Sequence, residues 1–484
     1  MSDEQRADYN TMREIAPYTK LKPEERMGQT SKIIDVLNQN DNINLEQAKK
    51  IKAYQLNQPY VKTEGNNIVK NHGDGSMNIR DKLRNTIHFK DWVIVYSCGK
   101  NPKYDDQDAD GLVTLLSKAS SAYGVKFDEP GFITCDSKCH DWKQQLGSDI
   151  EKNGKPQIVV LFFSPYEDKF YGEMKRFITC ELKIPCQVIR KKTVLKGKNP
   201  MSAASKIVVQ MNQKVGGTAW EIIPQEGAYT SRHRTMYGSF AISKGKKGFT
   251  LAFTGTINNE FTKVFNYCKT GYKNKETIPQ ADFETMLVNW AKNYVGFNKK
   301  GPELIMIFRE GLSTQQIQRQ VKDEIGALNN VIKKIGQKTG KENYNPEIVY
   351  TIVNTKINTR IFDIPEGSTH SNKFQPRVNN PQSGTCVLDE LSIDQMYDYH
   401  LAAQKVTEGT CTPTHYIVAH NSSHIPQEEL AQFTYEQCFN YYNWSGAVKV
   451  PATLQCANKL AKLVGESIQN DVTSGEVLNS FYFL

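Results

Sequence analysis

The chain has 484 residues, of which 38% are hydrophobic and 23% charged, and a formal net charge of +9. That length suits two to four soluble globular domains with real apolar cores. No run of eighteen apolar residues occurs, which excludes a hydrophobic membrane span, and the polar start MSDEQRADYN is not a secretory signal. The ten cysteines are scattered through the chain and suit reduced intracellular thiols, so the expected location is the cytoplasm, the nucleus or both. The positive balance favours a polyanionic partner over an acidic one, although charge alone does not separate this from solubility.

Residues 1–74 read as a helical linker. Ser2 with Gln5 forms a capping-box pattern. Pro23 followed by Glu24 and Glu25 opens a helix, because proline is tolerated in the first turn and acids suit the positive end. Ile33, Ile34 and Leu37 follow at helical spacing.

From about residue 85 strands and helices alternate. Residues 92–96 (WVIVY) form a short apolar strand. Leu112, Leu115, Leu116 and Ala119 share one face of a helix over 112–122. Residues 157–163 (QIVVLFF) read as a parallel strand buried on both faces. This order predicts a layered α/β domain ending near Gly217. Two metal patterns inside it fail on ligand count. Asp106, Asp108, Asp110 and Gly111 begin like a calcium loop, but the twelfth position is Ser117 where a bidentate Glu is required, so the acids read as a solvated helix start. Cys135, Cys139 and His140 have no second ligand pair at zinc spacing.

Residues 171–217 carry the densest chemistry. Tyr171 and Lys175 lie one helical turn apart, and so do Gln210 and Lys214 on a second helix, each pair sharing a face. Gln187 and the run Arg190, Lys191, Lys192 lie between them. Two ammonium groups, two neutral donors and helix termini aimed at one point suit a phosphate. Singly, each residue reads as ordinary surface; the ordered set, closed by Gly216, Gly217 and Trp220, favours the site.

The C-terminal half predicts two strands over 236–257 joined by a basic turn at 244–248, with Phe249, Leu251 and Phe253 alternating. Residues 304–308 (LIMIF) form a buried strand. Ile317, Val321, Ile325, Leu328, Ile332 and Ile335 mark a long amphipathic helix, and Ile348, Tyr350 and Ile352 alternate on the next strand. KINTRIF, an NNPQSGT loop, CTPTHYIVAH and YYNWSGAVKVPATLQCANKLAKLVGES follow, with a terminal FYFL.

These segments resemble the Argonaute/Piwi family over nearly the whole chain, and YNWSG resembles the Piwi branch. The resemblance implies a Rossmann-like α/β middle (MID) domain over 75–220 and an RNase H-like PIWI domain over 221–484, after the linker over 1–74. DYNTMREIAPYTKLKPEER is similar to the segment that joins PAZ to MID in this family, so the N-terminal and PAZ domains are expected to be missing. By the resemblance, Tyr171, Lys175, Gln187, Gln210 and Lys214 hold the 5′-phosphate of a small guide RNA. Gln210 and the C-terminal carboxylate of Leu484 would hold a Mg²⁺ ion beside it, and Lys356, Thr359 and Arg360 would contact the guide backbone. The implied partners are guide RNA, complementary target RNA and effector proteins, with no membrane and no small-molecule substrate.

The family's nuclease holds two metal ions in a carboxylate cluster. The position of its first Asp falls on Phe240 in MYGSF, where a phenyl ring offers a cation no oxygen. The second falls on Glu310 in IFREG, one methylene longer, and the final His or Asp falls on Asn458 in CANKL. Glu276 and Glu284 lie near the remaining acidic position, and neither is assigned. The expectation is a degenerate slicer site and action through partners. The alternatives are an endoribonuclease with a metal site rearranged around Glu310, and a partner-binding module that carries no RNA.

Overall fold

A computed structural model describes the chain except residues 1–4, 7, 70–72, 78, 80, 99–101, 137, 225–232, 275–278, 313, 342, 366–376, 389 and 392–396. Ser2 and Glu276 lie outside the described residues. Two mostly exposed helices come first, α1 (Tyr9–Thr19) and α2 (Pro23–Leu37). Asp8 caps α1 through the Thr11 amide at 2.8 Å, and Pro23, Glu24 and Glu25 occupy the first turn of α2 as expected. The linker is helical only this far. Residues 38–53 are polar and carry no regular element. The two-residue strand Tyr54–Gln55 then joins the edge of the large sheet, and Tyr60–Lys62 pairs antiparallel with Glu221–Ile223.

The first α/β layer is a four-stranded parallel sheet of β1 (Trp92–Ser97), β2 (Gly131–Cys135), β3 (Ile158–Phe163) and β4 (Cys186–Arg190), in the order β2-β1-β3-β4. Every residue of β3 is buried, as a strand with helices on both faces requires. The helices are α3 (Pro102–Tyr123), α4 (Cys139–Asn153), α5 (Tyr171–Arg176) and α6 (Pro200–Lys214). Helix α3 begins ten residues before the expected start, because Pro102 sits in the first turn and an acid follows it. Its acids are less solvated than expected. Asp106 accepts from the Tyr96 hydroxyl at 2.8 Å. Lys191 pairs with Asp105 at 2.7 Å and with Asp108 at 3.4 Å.

The second layer is a sheet of nine strands among the described residues. In chain order, after Tyr54–Gln55, they are β5 (Thr235–Gly245), β6 (Gly248–Thr256), β7 (Val264–Tyr272), β8 (Leu304–Glu310), β9 (Glu347–Asn354), β10 (Thr385–Val387), β11 (Tyr397–Ala402) and β12 (Thr414–Asn421). In space they run Tyr54–Gln55, β10, β11, β12, β9, β8, β5, β6, β7. The centre is parallel (β5 with β8, β8 with β9) and the flanks are antiparallel. This is the mixed sheet that the RNase H-like expectation requires. Helices α7 (Gln280–Asn298), α8 (Thr314–Thr339), α9 (Gln427–Gln437) and α10 (Ala452–Lys462) complete the layer. The expected stripe on α8 is the buried one: Ile317, Val321, Leu328, Ile332 and Ile335 are all in the core. None of the described helices is long and apolar enough to cross a membrane.

One aromatic ladder joins the layers. The Trp220 indole donates to the Phe439 carbonyl at 3.0 Å, and the Tyr442 hydroxyl donates to the Trp220 carbonyl at 3.1 Å. The Trp220 and Tyr442 rings lie 4.9 Å apart, and Tyr442 packs on Phe481 at 5.4 Å. The terminal residues Phe481, Tyr482, Phe483 and Leu484 are therefore core.

Candidate anion-binding site

Of the groups singled out on residues 171–214, the two ammonium groups converge on the carbonyl oxygen of Cys186, at the start of β4, and the others do not reach it. The ammonium of Lys175, from α5, donates to it at 2.9 Å, and that of Lys214, from the last turn of α6, does so at 2.9 Å. Both side chains are buried, at 4% and 1% exposure. Gln187 follows Cys186 on the strand, and its amide reaches the Gln210 carbonyl oxygen at 3.3 Å. Gln210 in turn donates to Asn443. Tyr171 lies one turn before Lys175 and lines a cavity of about 420 Å³ with Asp168, Arg176, Lys246 and Glu466.

A third cation was not legible in the sequence. Lys459, on α10, comes close enough to Lys214 to push it down, and is itself pushed down by the Lys175 charge. The approach depends on Gly172, where an added Cβ would sit 2.8 Å from the Ser467 carbonyl oxygen, so α5 lies almost backbone to backbone on the turn after α10. Both chain segments here are π-helical, Phe177–Leu182 after α5 and Leu463–Ile468 after α10. Such widened turns recur at functional sites.

The electrostatics are those of a buried cationic cluster. Burial pushes the Lys214 ammonium well below the usual lysine range, and the Lys175 charge pushes it further down. Lys459 is lowered by burial as well. Among the described residues no carboxylate lies within 4.0 Å of Lys175, Lys214 or Lys459. A buried charge without a partner is expensive, and fully buried lysines are rare for that reason.

The oxygen donors fit a hard cation beside such an anion. The side-chain oxygen of Gln187 is buried without a hydrogen-bond partner among the described residues, and among them the Gln210 oxygen holds only the 3.3 Å contact from Gln187. Amide and carboxylate oxygens are the ligands Mg²⁺ takes. Leu484 lies three residues beyond Phe481, whose ring packs on Tyr442, and the next residue, Asn443, bonds Gln210.

A second basic cluster surrounds Arg360. Its guanidinium donates to the carbonyls of Ile357 and Thr359 at 2.9 and 2.8 Å, while Lys356 is exposed and Thr359 half-buried on the same irregular segment. Burial and the neighbouring Arg26 lower its pKa. The Nε atoms of Arg26 and Arg360 are both buried without partners. Lys449, lowered chiefly by burial, donates to the Thr355 carbonyl at 3.0 Å. Sequence reasoning placed Lys356, Thr359 and Arg360 here and missed Arg26 and Lys449, which come from remote elements.

Phe240 faces Arg309 across the parallel β5–β8 pair. It is 1% exposed, packed on Phe283 at 5.0 Å and Tyr350 at 6.5 Å, with the Arg309 guanidinium 5.4 Å from its ring centroid. Arg309 is held by Glu324 at 3.3 Å and by the carbonyls of Glu310 and Gly311 at 2.6 and 2.9 Å. Glu310 ends β8, and Asn458 lies half-buried on α10, which packs on β5 and β8. Glu284 is engaged with Asn330 and Lys334 on α8.

Together these features define a class: a Rossmann-like layer carrying a buried cationic cluster, docked on an RNase H-like layer. The Piwi domain family model matches residues 157–469, and the chain belongs to this family. It is 26% identical to Piwi-like protein 1 of Gallus gallus over 97% of this chain and 53% of that protein, so it spans about half the length of that curated relative. Its fold is similar to the crystal structure of Drosophila Piwi, with a TM-score of 0.81 and 23% identity over 98% of this chain and 64% of that one. It is equally similar to Kluyveromyces polysporus Argonaute with a guide RNA, with a TM-score of 0.81 and 16% identity over 99% of this chain and 59% of that one.

Proposed function

We propose that the chain binds the 5′-phosphate end of a small guide RNA at the Cys186 pocket and acts through base pairing and recruited partners rather than by cutting. The observation that carries this reading is the pair of buried ammonium groups, Lys175 and Lys214, held on one carbonyl oxygen with Lys459 behind them. A phosphate bound there supplies negative charge to these groups, and hydrogen bonds to a charged acceptor replace those to the neutral Cys186 carbonyl. Gln187 and Gln210 orient the phosphate oxygens. Gln210 and the Leu484 carboxylate would hold a Mg²⁺ ion, which when bound screens the phosphate against the chain end. The guide backbone then passes Arg360, Arg26, Lys449, Lys356 and Thr359, where contacts to phosphate add affinity without base preference. Target choice rests on pairing with the guide.

The reading of a non-cutting PIWI layer is supported by Phe240. Its ring fills the place that the resemblance assigns to a metal-binding carboxylate, and the neutral Asn458 stands at the final ligand position. A two-metal mechanism needs both ions held by charged oxygen ligands. The test is binding of 5′-phosphorylated RNA with Lys175→Ala and Lys214→Ala, together with a cleavage assay on a fully paired target. Retained binding in both variants overturns the pocket; guide-dependent cleavage overturns the silent site.

A further inference from the structure

On β11 and β12, away from the anion site, three metal-ligating side chains meet. Asp398 and His400 are two residues apart on β11 and so share one face, and His415 is directly opposite His400 in the antiparallel register. The two imidazoles stack with centroids 4.2 Å apart and planes within 7°. A ring nitrogen of His415 lies 2.5 Å from the Asp398 carboxylate. All three residues are buried, at 1%, 5% and 8% exposure, and one ligand atom from each lies within 4.8 Å of the others. Among the described residues this is the only such cluster.

We propose that Asp398, His400 and His415 form a binding site for a divalent transition-metal ion, zinc by preference, that ties β11 to β12. Two imidazole nitrogens and one carboxylate oxygen are a donor set zinc takes in tetrahedral sites with one further position for water. Ligand atoms around tetrahedral zinc stand about 3.3 Å apart, inside the 4.8 Å that spans the ligand atoms of this cluster. The opposite face of the same strand pair is fixed, since Tyr399 stacks on Tyr416 at 5.0 Å and bonds Thr434 at 2.7 Å. The backbone that presents the ligands is thereby rigid.

The test uses the full chain, freed of RNA and metal, titrated with Co²⁺ and then Zn²⁺. The expected result is roughly one equivalent of Co²⁺ with the visible bands of a four-coordinate site, displaced by Zn²⁺. His400→Phe and His400→Gln should each weaken binding at least about 100-fold while circular dichroism stays unchanged, and Cys139→Ser should leave it intact. Absence of Co²⁺ bands in the wild-type chain overturns the proposal. So does binding as tight as wild type in both His400 variants, or loss of binding in Cys139→Ser. None of these outcomes depends on the Cys186 pocket.

Discussion

Lys175 and Lys214 reach the same backbone oxygen, that of Cys186, from two different helices, each at 2.9 Å. Two buried ammonium groups on one neutral acceptor are a poor arrangement for stability and a good one for anion capture. The predictions turn on that trade.

Lys214→Met should raise the melting temperature of the RNA-free chain, because it removes a fully buried charge in favour of an apolar side chain of similar length. The same change should weaken binding of 5′-phosphorylated RNA by at least about tenfold, or about 1.4 kcal/mol. Thermal unfolding and filter binding on the same preparation check both halves.

The pH dependence has a definite sign. The folded pKa of Lys214 lies well below 10.5, so the folded RNA-free chain binds fewer protons than the unfolded one between those two values. Its stability therefore rises as pH rises through the folded pKa, and the gain is complete above the unfolded one. A bound phosphate restores the ammonium, so association takes up protons and affinity falls as pH rises through the same window. Below about pH 6 the phosphate loses its second charge, which lowers affinity on the acid side too. Calorimetry in buffers of different ionisation enthalpy should detect proton uptake on binding 5′-phosphorylated RNA and none with the 5′-hydroxyl form.

Gly172→Ala should weaken 5′-phosphate binding without touching any polar ligand. Its Cβ would push α5 off the Ser467 carbonyl and draw Lys175 away from Lys459. Removing Leu484 alone should abolish the Mg²⁺ dependence of binding while most of the tail packing by Phe481, Tyr482 and Phe483 persists. Binding curves with Mg²⁺ and with chelator read both effects.

Phe240→Ala should destabilise the chain by about 3–5 kcal/mol, the range for opening a core cavity of that size. Neither it nor the wild-type chain should cleave a fully paired target in Mg²⁺ or Mn²⁺. Denaturant unfolding and a labelled-target assay check the two statements.

Much of this layout is readable from the residues. Lys175 and Lys214 are separated by a strand and a helix, but each sits one turn from a second polar group, and that spacing marks a helix face. The buried strands 158–163 and 304–310 announce themselves as apolar runs. Lys459, Asn443, Arg26 and Lys449 do not, because their partners lie on distant elements and nothing local distinguishes them from solvated polar residues. Pro102 was the missed signal for the early start of α3. Beyond Leu37 the polar run to Ala53 has no helical period, and the small strands at 54–55 and 60–62 are fixed by pairing with residues 385–386 and 221–223. His400 and His415 fall under a similar rule: only the register of β11 on β12 brings them together.

The most direct measurement is the affinity of the purified, RNA-free chain for one small RNA carrying either a 5′-phosphate or a 5′-hydroxyl. The account predicts at least about tenfold tighter binding of the phosphorylated form, with the difference lost in Lys175→Ala and Lys214→Met. Equal affinity for the two RNAs would contradict it, and would leave the buried lysines of the Cys186 pocket without the ligand assigned to them here.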